Sequence, residues 1–202
     1  GDSFYLSKVA TKVSQDRIIF AGVEFMGESA KILNPKKRVF MPDMNADCPM
    51  AHMADKDEIL ALREKYDDLA VVCYINSTAE LKKYSDVCVT SSNAVKIVKN
   101  LPNKNIFFIP DRNLGSYVAK QCPDKNFIFN NGCCPRHVVI TKDMVLKAKE
   151  LHPEARFAAH PECTEDVLAF ADYVGSTSGI IDYVVDTDAD EYIIGTVDGV
   201  FN

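Results

Sequence analysis

The sequence has no tryptophan, and it contains only 9 glycines and 9 prolines in 202 residues. So few glycines and prolines exclude a collagen-like or low-complexity chain. No apolar run reaches the roughly 18 residues that a membrane-spanning helix needs, so we predict no membrane partner. The rest of the composition, with 47% hydrophobic and 26% charged residues, is that of an ordinary globular protein.

The chain also lacks an excess of positive charge. It has 23 basic and 29 acidic residues, which gives a formal net charge of −6. A negative overall field disfavours binding to a polyanion, so we predict no nucleic-acid partner. A small anionic ligand would need local donors instead, such as Arg112, Arg136 or the backbone N–H groups of the small-residue segment 175–179.

No Cys-x-x-Cys pair occurs, so the usual sequence signatures of zinc ribbons and ferredoxins are absent. The seven cysteines are an odd number, and no secretory signal is found, so we expect free thiols in a reducing compartment and a cytoplasmic protein. Cys73 and Cys88 lie within strand-like runs and are interpreted as small buried hydrophobic residues, and Cys122 as an inert thiol. The other four cysteines follow strand-like runs and are candidates for chemistry: Cys48, Cys133, Cys134 and Cys163.

Short continuous apolar runs alternate with helical patterns along the whole chain, which predicts an α/β fold with parallel sheets covered on both faces. The predicted strands are 17–20, 38–41, 71–74, 87–90, 106–109, 127–129, 156–159, 173–174 and 192–194. The predicted helices are 28–33, 57–65, 79–84, 94–100, 114–121, 143–151 and 165–171.

A helix-loop-strand segment also repeats, which favours three similar units over one sheet. The copies end in Pro42-Asp43, Pro110-Asp111 and, more loosely, Pro161-Glu162. Any helix-loop-strand unit could show such spacing, and this remains the alternative interpretation. We predict units at residues 1–54, 55–139 and 140–202. Because the chain starts at Gly1 and stops after a strand-like run, we expect the first and last units to be incomplete.

Polar side chains follow several predicted strands, where a parallel sheet places its ligands. His137 and His160 each lie near a cysteine, and Glu162 follows His160 by two residues. A histidine and a carboxylate at adjacent strand ends are suited to acid–base chemistry. Ser77, Ser92 and Thr164 also precede helices, so helix capping is the simpler interpretation for these three.

Ten stretches in this order and spacing resemble the quinolinate synthase family, and the resemblance covers the whole chain. They are Gly1-Asp2-Ser3, Phe25-Met26, Asn34-Pro35, Cys48-Pro49-Met50-Ala51, Tyr74-Ile75-Asn76-Ser77-Thr78, Thr90-Ser91-Ser92-Asn93-Ala94-Val95, Pro110-Asp111-Arg112-Asn113-Leu114-Gly115, Gly132-Cys133-Cys134-Pro135-Arg136-His137, His160-Pro161-Glu162-Cys163 and Asp172-Tyr173-Val174-Gly175-Ser176-Thr177.

The resemblance implies a fold of three-layer αβα units in a pseudo-threefold arrangement around a central cavity. It also implies a [4Fe–4S] cluster held by three cysteines, with one iron open as a Lewis acid. By motif the first ligand is Cys48. The Gly-x-Cys-x-x-His pattern selects Cys134 over Cys133 as the second. The family's third ligand is expected beyond Asn202, a further catalytic element is expected before Gly1, and Cys163 matches no ligand.

The implied reaction condenses iminoaspartate with dihydroxyacetone phosphate to quinolinate, with loss of phosphate and water. It implies these small-molecule substrates and functional coupling to an enzyme that produces iminoaspartate. The implied catalytic residues are Glu162, His160, His137 and Tyr74. The implied substrate-binding residues are Ser3, Tyr74, Ile75, Asn76, Ser91, His160, Pro161, Glu162, Ser176 and Thr177.

Two other interpretations remain open from the sequence. One is an iron–sulfur electron-transfer or sensor protein that uses the same cysteines. The other is an inactive fragment that retains the fold, because one cluster ligand and the upstream element are not found among these residues.

Overall fold

The computed structural model describes residues 3–201. Gly1 and Asp2, which open the first resembling stretch, lie outside the described residues. The described chain forms three separate parallel sheets flanked by helices. The prediction of an α/β fold with parallel sheets is confirmed. No helix among residues 3–201 has the length and apolar character required to cross a membrane.

The first sheet has two strands, β1 (Arg17–Ile19) and β2 (Arg38–Phe40), which pair in parallel with Ile18 opposite Val39. Helices α1 (Ser3–Lys12) and α2 (Glu24–Leu33) pack against each other. No helix was predicted at α1 from the sequence, and Ser3 was assigned to the site through the family resemblance. Ser3 begins α1, and its carbonyl accepts a hydrogen bond from the Ser7 hydroxyl at 3.0 Å.

The second sheet is the largest, with all four strands parallel in the order β4-β3-β5-β6. The strands are β3 (Leu69–Tyr74), β4 (Val87–Val89), β5 (Asn105–Ile109) and β6 (Asn126–Phe129). Its helices are α3 (Lys56–Lys65), α4 (Ala79–Lys83), α5 (Ala94–Asn100) and α6 (Arg112–Lys120). Every residue of β3 is buried, and alternate side chains of β3 enter two apolar clusters on opposite faces of the sheet.

The third sheet has the parallel order β8-β7-β9. Its strands are β7 (Arg156–Ala159), β8 (Tyr173–Val174) and β9 (Tyr192–Gly195). Its helices are α7 (Lys142–Leu151), α8 (Glu165–Leu168) and α9 (Thr177–Asp186). Helix α9 was not predicted because the run Gly175-Ser176-Thr177-Ser178-Gly179 indicates a loop, whereas Ser176 is the N-cap of this helix.

One hydrogen-bond pattern occurs in both larger sheets. Asp86 precedes β4 and accepts the N–H of Val71 at 2.7 Å, while its own N–H bonds the Val71 carbonyl at 3.0 Å. Asp172 precedes β8 and makes the same two bonds with Phe157, both at 2.8 Å. The pattern matches β7 to β3, whereas the repeat predicted from the sequence aligned the loop after β7 with the loop after β5.

The interpretation of Cys88 as a buried residue is wrong. Cys73 on β3 is fully buried, but Cys88 is exposed because β4 lies at the edge of its sheet.

Candidate active site

The carboxyl ends of strands from the second and third sheets face one cavity of about 380 Å³. Because parallel strands all end at the same edge of a sheet, the loops that follow them meet there. The residues that line the cavity are Ser3, Tyr74, Ile75, Asn76, Thr90, Ser91, Cys134, Arg136, His137, His160, Glu162, Thr177, Thr196, Val197 and Gly199.

Glu162 is the most enclosed charged group of the cavity, with only 3% of its side chain exposed. Its Oε2 lies 2.7 Å from Nδ1 of His137 and 3.7 Å from Nδ1 of His160. Asn113, at the start of α6 in the second sheet's unit, donates to the Glu162 carbonyl at 3.0 Å. Burial would raise the pKa of Glu162, but the hydrogen bond from His137 and the electrostatic interactions with His160 and His137 outweigh it, so that the pKa lies below its ordinary value.

The two histidine rings stack, with 4.8 Å between their centroids. His137 also contacts Thr196, the residue that follows β9, with 3.0 Å between Nε2 of the ring and the threonine hydroxyl. A carboxylate at Nδ1 favours the tautomer with its proton on that nitrogen, which leaves Nε2 free to accept from Thr196. His137 therefore connects residues from two sheets through its two ring nitrogens.

Cys134 lies beside this pair, with Sγ 3.2 Å from Nδ1 of His137. Its backbone N–H donates to Asp111 Oδ2 at 3.0 Å, while Asp111 Oδ1 caps α6 through the N–H of Leu114 at 2.8 Å. Burial and the charge of Glu162 raise the pKa of Asp111 to about 7, and the same two causes raise the pKa of the Cys134 thiol to about 12. Asp111 therefore fixes the loop that carries the thiol.

Tyr74 ends β3 and is buried at the floor of the cavity. Burial and the neighbouring charge of Glu162 raise the pKa of its hydroxyl well above the usual range. The hydroxyl is therefore a proton-bearing donor throughout the neutral pH range.

A metal-binding group can be built from the same residues. The ligand atoms of Cys134, His137 and Glu162 lie within 4.8 Å of one another and all three residues are buried. Oε1 of Glu162 is buried and has no hydrogen-bond partner among the described residues, and such a group calls for a partner. Cys48 is half-buried and packs against the apolar cluster that contains Cys134. Burial chiefly raises the pKa of the Cys48 thiol, and the charge of Glu162 contributes to the same shift. Two thiols near one cavity suit an iron–sulfur centre.

Comparison with known proteins decides the family. A sequence profile of the family described as Quinolinate synthetase A protein matches residues 1–202. The chain belongs to this family. The resemblance seen in the sequence is thus confirmed, and membership implies an enzyme with a metal-cluster cofactor, for which the free thiols of Cys48 and Cys134 supply fitting ligands.

Relatives at high identity carry the name quinolinate synthase. One from Fusobacterium nucleatum subsp. nucleatum is 60% identical over 200 residues, which cover 99% of this chain and 67% of that protein. Those from Caldicellulosiruptor saccharolyticus and Clostridioides difficile are 54% and 48% identical, over 99% and 100% of this chain and 66% of each relative. The chain spans about two thirds of the length of these members of the quinolinate synthetase A family.

Most residues that the sequence assigned to the family's site lie in the cavity. Three do not line it: Cys48, Pro161 and Ser176. The Ser176 hydroxyl accepts the N–H of Gly179 at 3.3 Å as the cap of α9, so its contact is within the helix.

Thr196 was not predicted as a site residue, although its hydroxyl contacts a histidine of the site. No local motif marks this threonine, and its place depends on the pairing of β9 with β7. Asn113 carried a weak signal, since it follows β5 in the stretch Pro110-Asp111-Arg112-Asn113.

Proposed function

We propose that this chain builds the substrate cavity of a quinolinate synthase. The reaction condenses iminoaspartate with dihydroxyacetone phosphate and releases quinolinate, phosphate and two water molecules, with no net oxidation or reduction. The observation that carries the proposal is the buried carboxylate of Glu162, held between His137 and His160 and beside Cys134.

Cys48 and Cys134 are the residues of this chain that would hold a [4Fe–4S] cluster. Bound there, the cluster supplies a Lewis-acidic iron that polarises a substrate oxygen and makes hydroxide a better leaving group. Both thiols must lose their protons to act as ligands, and the raised pKa of each without metal means that binding releases protons.

The proton transfers belong to Glu162, His137 and His160. The 2.7 Å contact between His137 Nδ1 and Glu162 Oε2 is short enough for a proton to pass between them. Imine chemistry and dehydration need a base that removes a carbon-bound proton and an acid that protonates a leaving oxygen. A carboxylate and two imidazoles can perform both tasks in turn, because each can hold the proton that the other has lost.

Substrate binding falls to neutral donors around the cavity. Tyr74 keeps its proton and donates to a substrate carboxylate, and Arg136 supplies positive charge for the phosphate. The remaining donors proposed for the dicarboxylate are Ser3, the backbone of Ile75, Asn76, Ser91 and Thr177. Pro161 and Ser176 contribute from the loops that carry Glu162 and Thr177.

We further propose that the three sheets form units at residues 1–54, 55–139 and 140–202, arranged with pseudo-threefold symmetry around the cavity. The support is that each sheet falls within one of these ranges and that Asp86 and Asp172 make the same hydrogen bonds in two of them. The protein would act in the cytoplasm beside an enzyme that supplies iminoaspartate, because this imine hydrolyses in water.

The test is an anaerobic assay of the full gene product that contains these 202 residues, with iminoaspartate formed in situ from oxaloacetate and ammonium. We expect quinolinate, together with iron and acid-labile sulfide in equal amounts. A loaded protein that cycles reversibly between redox states but forms no quinolinate would instead support the electron-transfer interpretation. The isolated 202-residue chain, assayed in parallel, tests the inactive-fragment interpretation.

A further inference from the structure

Two cysteines outside the cavity face each other across neighbouring strands. Cys73 on β3 and Cys88 on β4 are opposite partners in the parallel register. Neighbouring strands lie about 4.8 Å apart and partners in register present their side chains on the same face. That spacing falls within the separation of about 4.4 to 6.8 Å between the Cα atoms of disulfide-bonded cysteines.

The two thiols differ in exposure and in the state of their protons. Cys88 is exposed, while Cys73 is fully buried among apolar side chains. A hydrogen bond from the Cys73 thiol and the positive charge of Lys82 lower the pKa of Cys88 to about 7, against the opposing effect of its partial burial. The hydrogen bond to Cys88 and burial raise the pKa of Cys73 well above its usual range. At neutral pH the exposed sulfur is therefore a thiolate in about half of the molecules, while the buried one is a thiol.

The ammonium group of Lys82 is held in place by residues of α2. Its Nζ donates to the Ser29 hydroxyl at 2.9 Å and lies 5.6 Å from the centre of the Phe25 ring. Glu28, the acidic group that faces this ammonium, accepts the N–H of Ala79 at 2.8 Å. The charge near Cys88 is thus a fixed part of the fold and not a mobile surface lysine.

We propose that Cys88 and Cys73 form a peroxide-reactive dithiol. The Cys88 thiolate attacks one oxygen of a hydroperoxide, the O–O bond breaks, and the sulfur is oxidised to a sulfenic acid while the peroxide is reduced to an alcohol or water. The Cys73 sulfur then displaces hydroxide from this sulfenic acid, the S–S bond forms, and the thiol proton leaves with the hydroxide as water.

The buried thiols elsewhere in the described chain are poorly suited to attack a peroxide as Cys88 does. Burial raises the pKa of Cys122, Cys134 and Cys163, to about 12 for the last two. A protonated thiol reacts slowly, because the thiolate is the nucleophile.

The dithiol also lies next to the cavity in sequence, since Tyr74 follows Cys73 and Thr90 follows Cys88 by two residues. A disulfide would tie together two strand ends that carry the cavity wall.

The test treats the full gene product, reduced without oxygen, with one equivalent of hydrogen peroxide and maps its tryptic peptides by mass spectrometry. Cleavage after Lys65, Lys82, Lys83 and Lys96 puts the two cysteines in separate peptides, so a bond between them is directly visible. We expect the Cys73–Cys88 linked pair as the first product. In Cys73→Ala we expect a sulfenic acid on Cys88 that a dimedone probe traps. Oxidation that starts at another cysteine, or that leaves Cys88 unlinked in the unaltered protein, would overturn the proposal.

A second measurement does not depend on the disulfide. The rate at which iodoacetamide alkylates Cys88 should rise with pH around a midpoint near 7. Lys82→Gln should move the midpoint up by about one pH unit and slow alkylation at pH 7 about fivefold, because fewer molecules carry the thiolate. Lys83→Gln is the matched control and should leave the midpoint unchanged. A midpoint near the roughly 8.5 of a free cysteine in the unaltered protein would contradict the proposal.

Discussion

At the scale of single residues, the site depends on one buried negative charge. Burying a carboxylate costs several kcal/mol unless charged or hydrogen-bonding partners compensate. Glu162 has such partners in His137 and His160 on one oxygen, while the other oxygen has none among the described residues. A buried acceptor such as Glu162 Oε1 needs a hydrogen-bond donor or a metal ion. Because Glu162 lines the cavity, a ligand bound there can supply that partner.

Replacing this carboxylate should separate catalysis from cofactor binding. We expect Glu162→Gln to lower quinolinate formation by about 100-fold or more, because the amide cannot accept the proton that the reaction moves. The iron content should stay unchanged, since neither proposed thiolate ligand is altered. Glu165→Gln is the matched control, because Glu165 is an exposed residue of α8 that pairs with Lys120 at 2.6 Å. Normal turnover by Glu162→Gln would remove this residue from the mechanism.

Thr196 should act as a positioning residue for His137. We expect Thr196→Val to lower kcat about tenfold with little change in KM, because loss of the hydroxyl frees the ring at Nε2. Thr196→Ser should restore kcat, and the pH–rate profile should shift in the valine variant only. An unchanged pH profile with a lower rate would point to a packing defect and not to a role through His137.

Residues of the site differ in how strongly the sequence marks them. His160 and Glu162 were predicted as site residues because they follow a strand, and His137 because it ends a motif of the family. Thr196 could not be found this way, since its contact with His137 joins residues 59 positions apart. Cys88 was assigned to the core because a strand-like run does not reveal which strand lies at a sheet edge.

At the scale of elements, an aspartate fixes an edge strand to its neighbour in each larger sheet. Asp172 accepts the N–H of Phe157 at 2.8 Å, with Lys149 at 3.7 Å and Arg156 at 3.6 Å. The hydrogen bond from Phe157 chiefly lowers the pKa of Asp172, although burial opposes it, and the two cations contribute further. A carboxyl group whose pKa is lower in the folded state stabilises the fold above its unfolded pKa of about 3.9 and loses that effect as the pH falls.

Asp172→Asn should therefore destabilise the protein in a pH-dependent way. We expect a loss of about 1 kcal/mol in the free energy of unfolding at pH 7, measured by urea denaturation. The difference from the unaltered protein should shrink steadily below about pH 4 as the native carboxylate takes up its proton. A difference that is the same at pH 3 and pH 7 would mean that the charge of Asp172 contributes nothing.

Gly115 in α6 tests how closely a helix packs on the second sheet. A Cβ at this position would lie 2.9 Å from Phe108 and 3.0 Å from Phe129, both rigid rings. We expect Gly115→Ala to lower the free energy of unfolding by about 1 to 3 kcal/mol, despite the better helix propensity of alanine. Gly27→Ala in α2 is the comparison, because there the new methyl meets the flexible side chain of Met41. Equal stability of Gly115→Ala and the unaltered protein would show that the helix can move away from the sheet.

At the scale of the whole molecule, the cavity lies where loops from different sheets meet. His137 follows the second sheet, Glu162 and Thr196 follow strands of the third, and Ser3 belongs to the part that carries the first. Composition and apolar runs sufficed to predict parallel sheets, because nearly every strand is continuous in hydrophobic residues. The place of each strand within its sheet was not predictable, and β7 was matched to β5 when its hydrogen bonds match it to β3.

We propose that this cavity serves quinolinate formation and that Cys134, and not its neighbour Cys133, is a ligand of the cluster. The most direct measurement compares Cys134→Ser with Cys133→Ser in the full gene product, purified without oxygen, for iron, acid-labile sulfide and quinolinate formed. We predict that Cys134→Ser loses the cluster and forms quinolinate at less than about one hundredth of the normal rate, while Cys133→Ser keeps both. Retention of cluster and activity in Cys134→Ser, or their loss in Cys133→Ser alone, would show that Cys134 is not a ligand of the cluster.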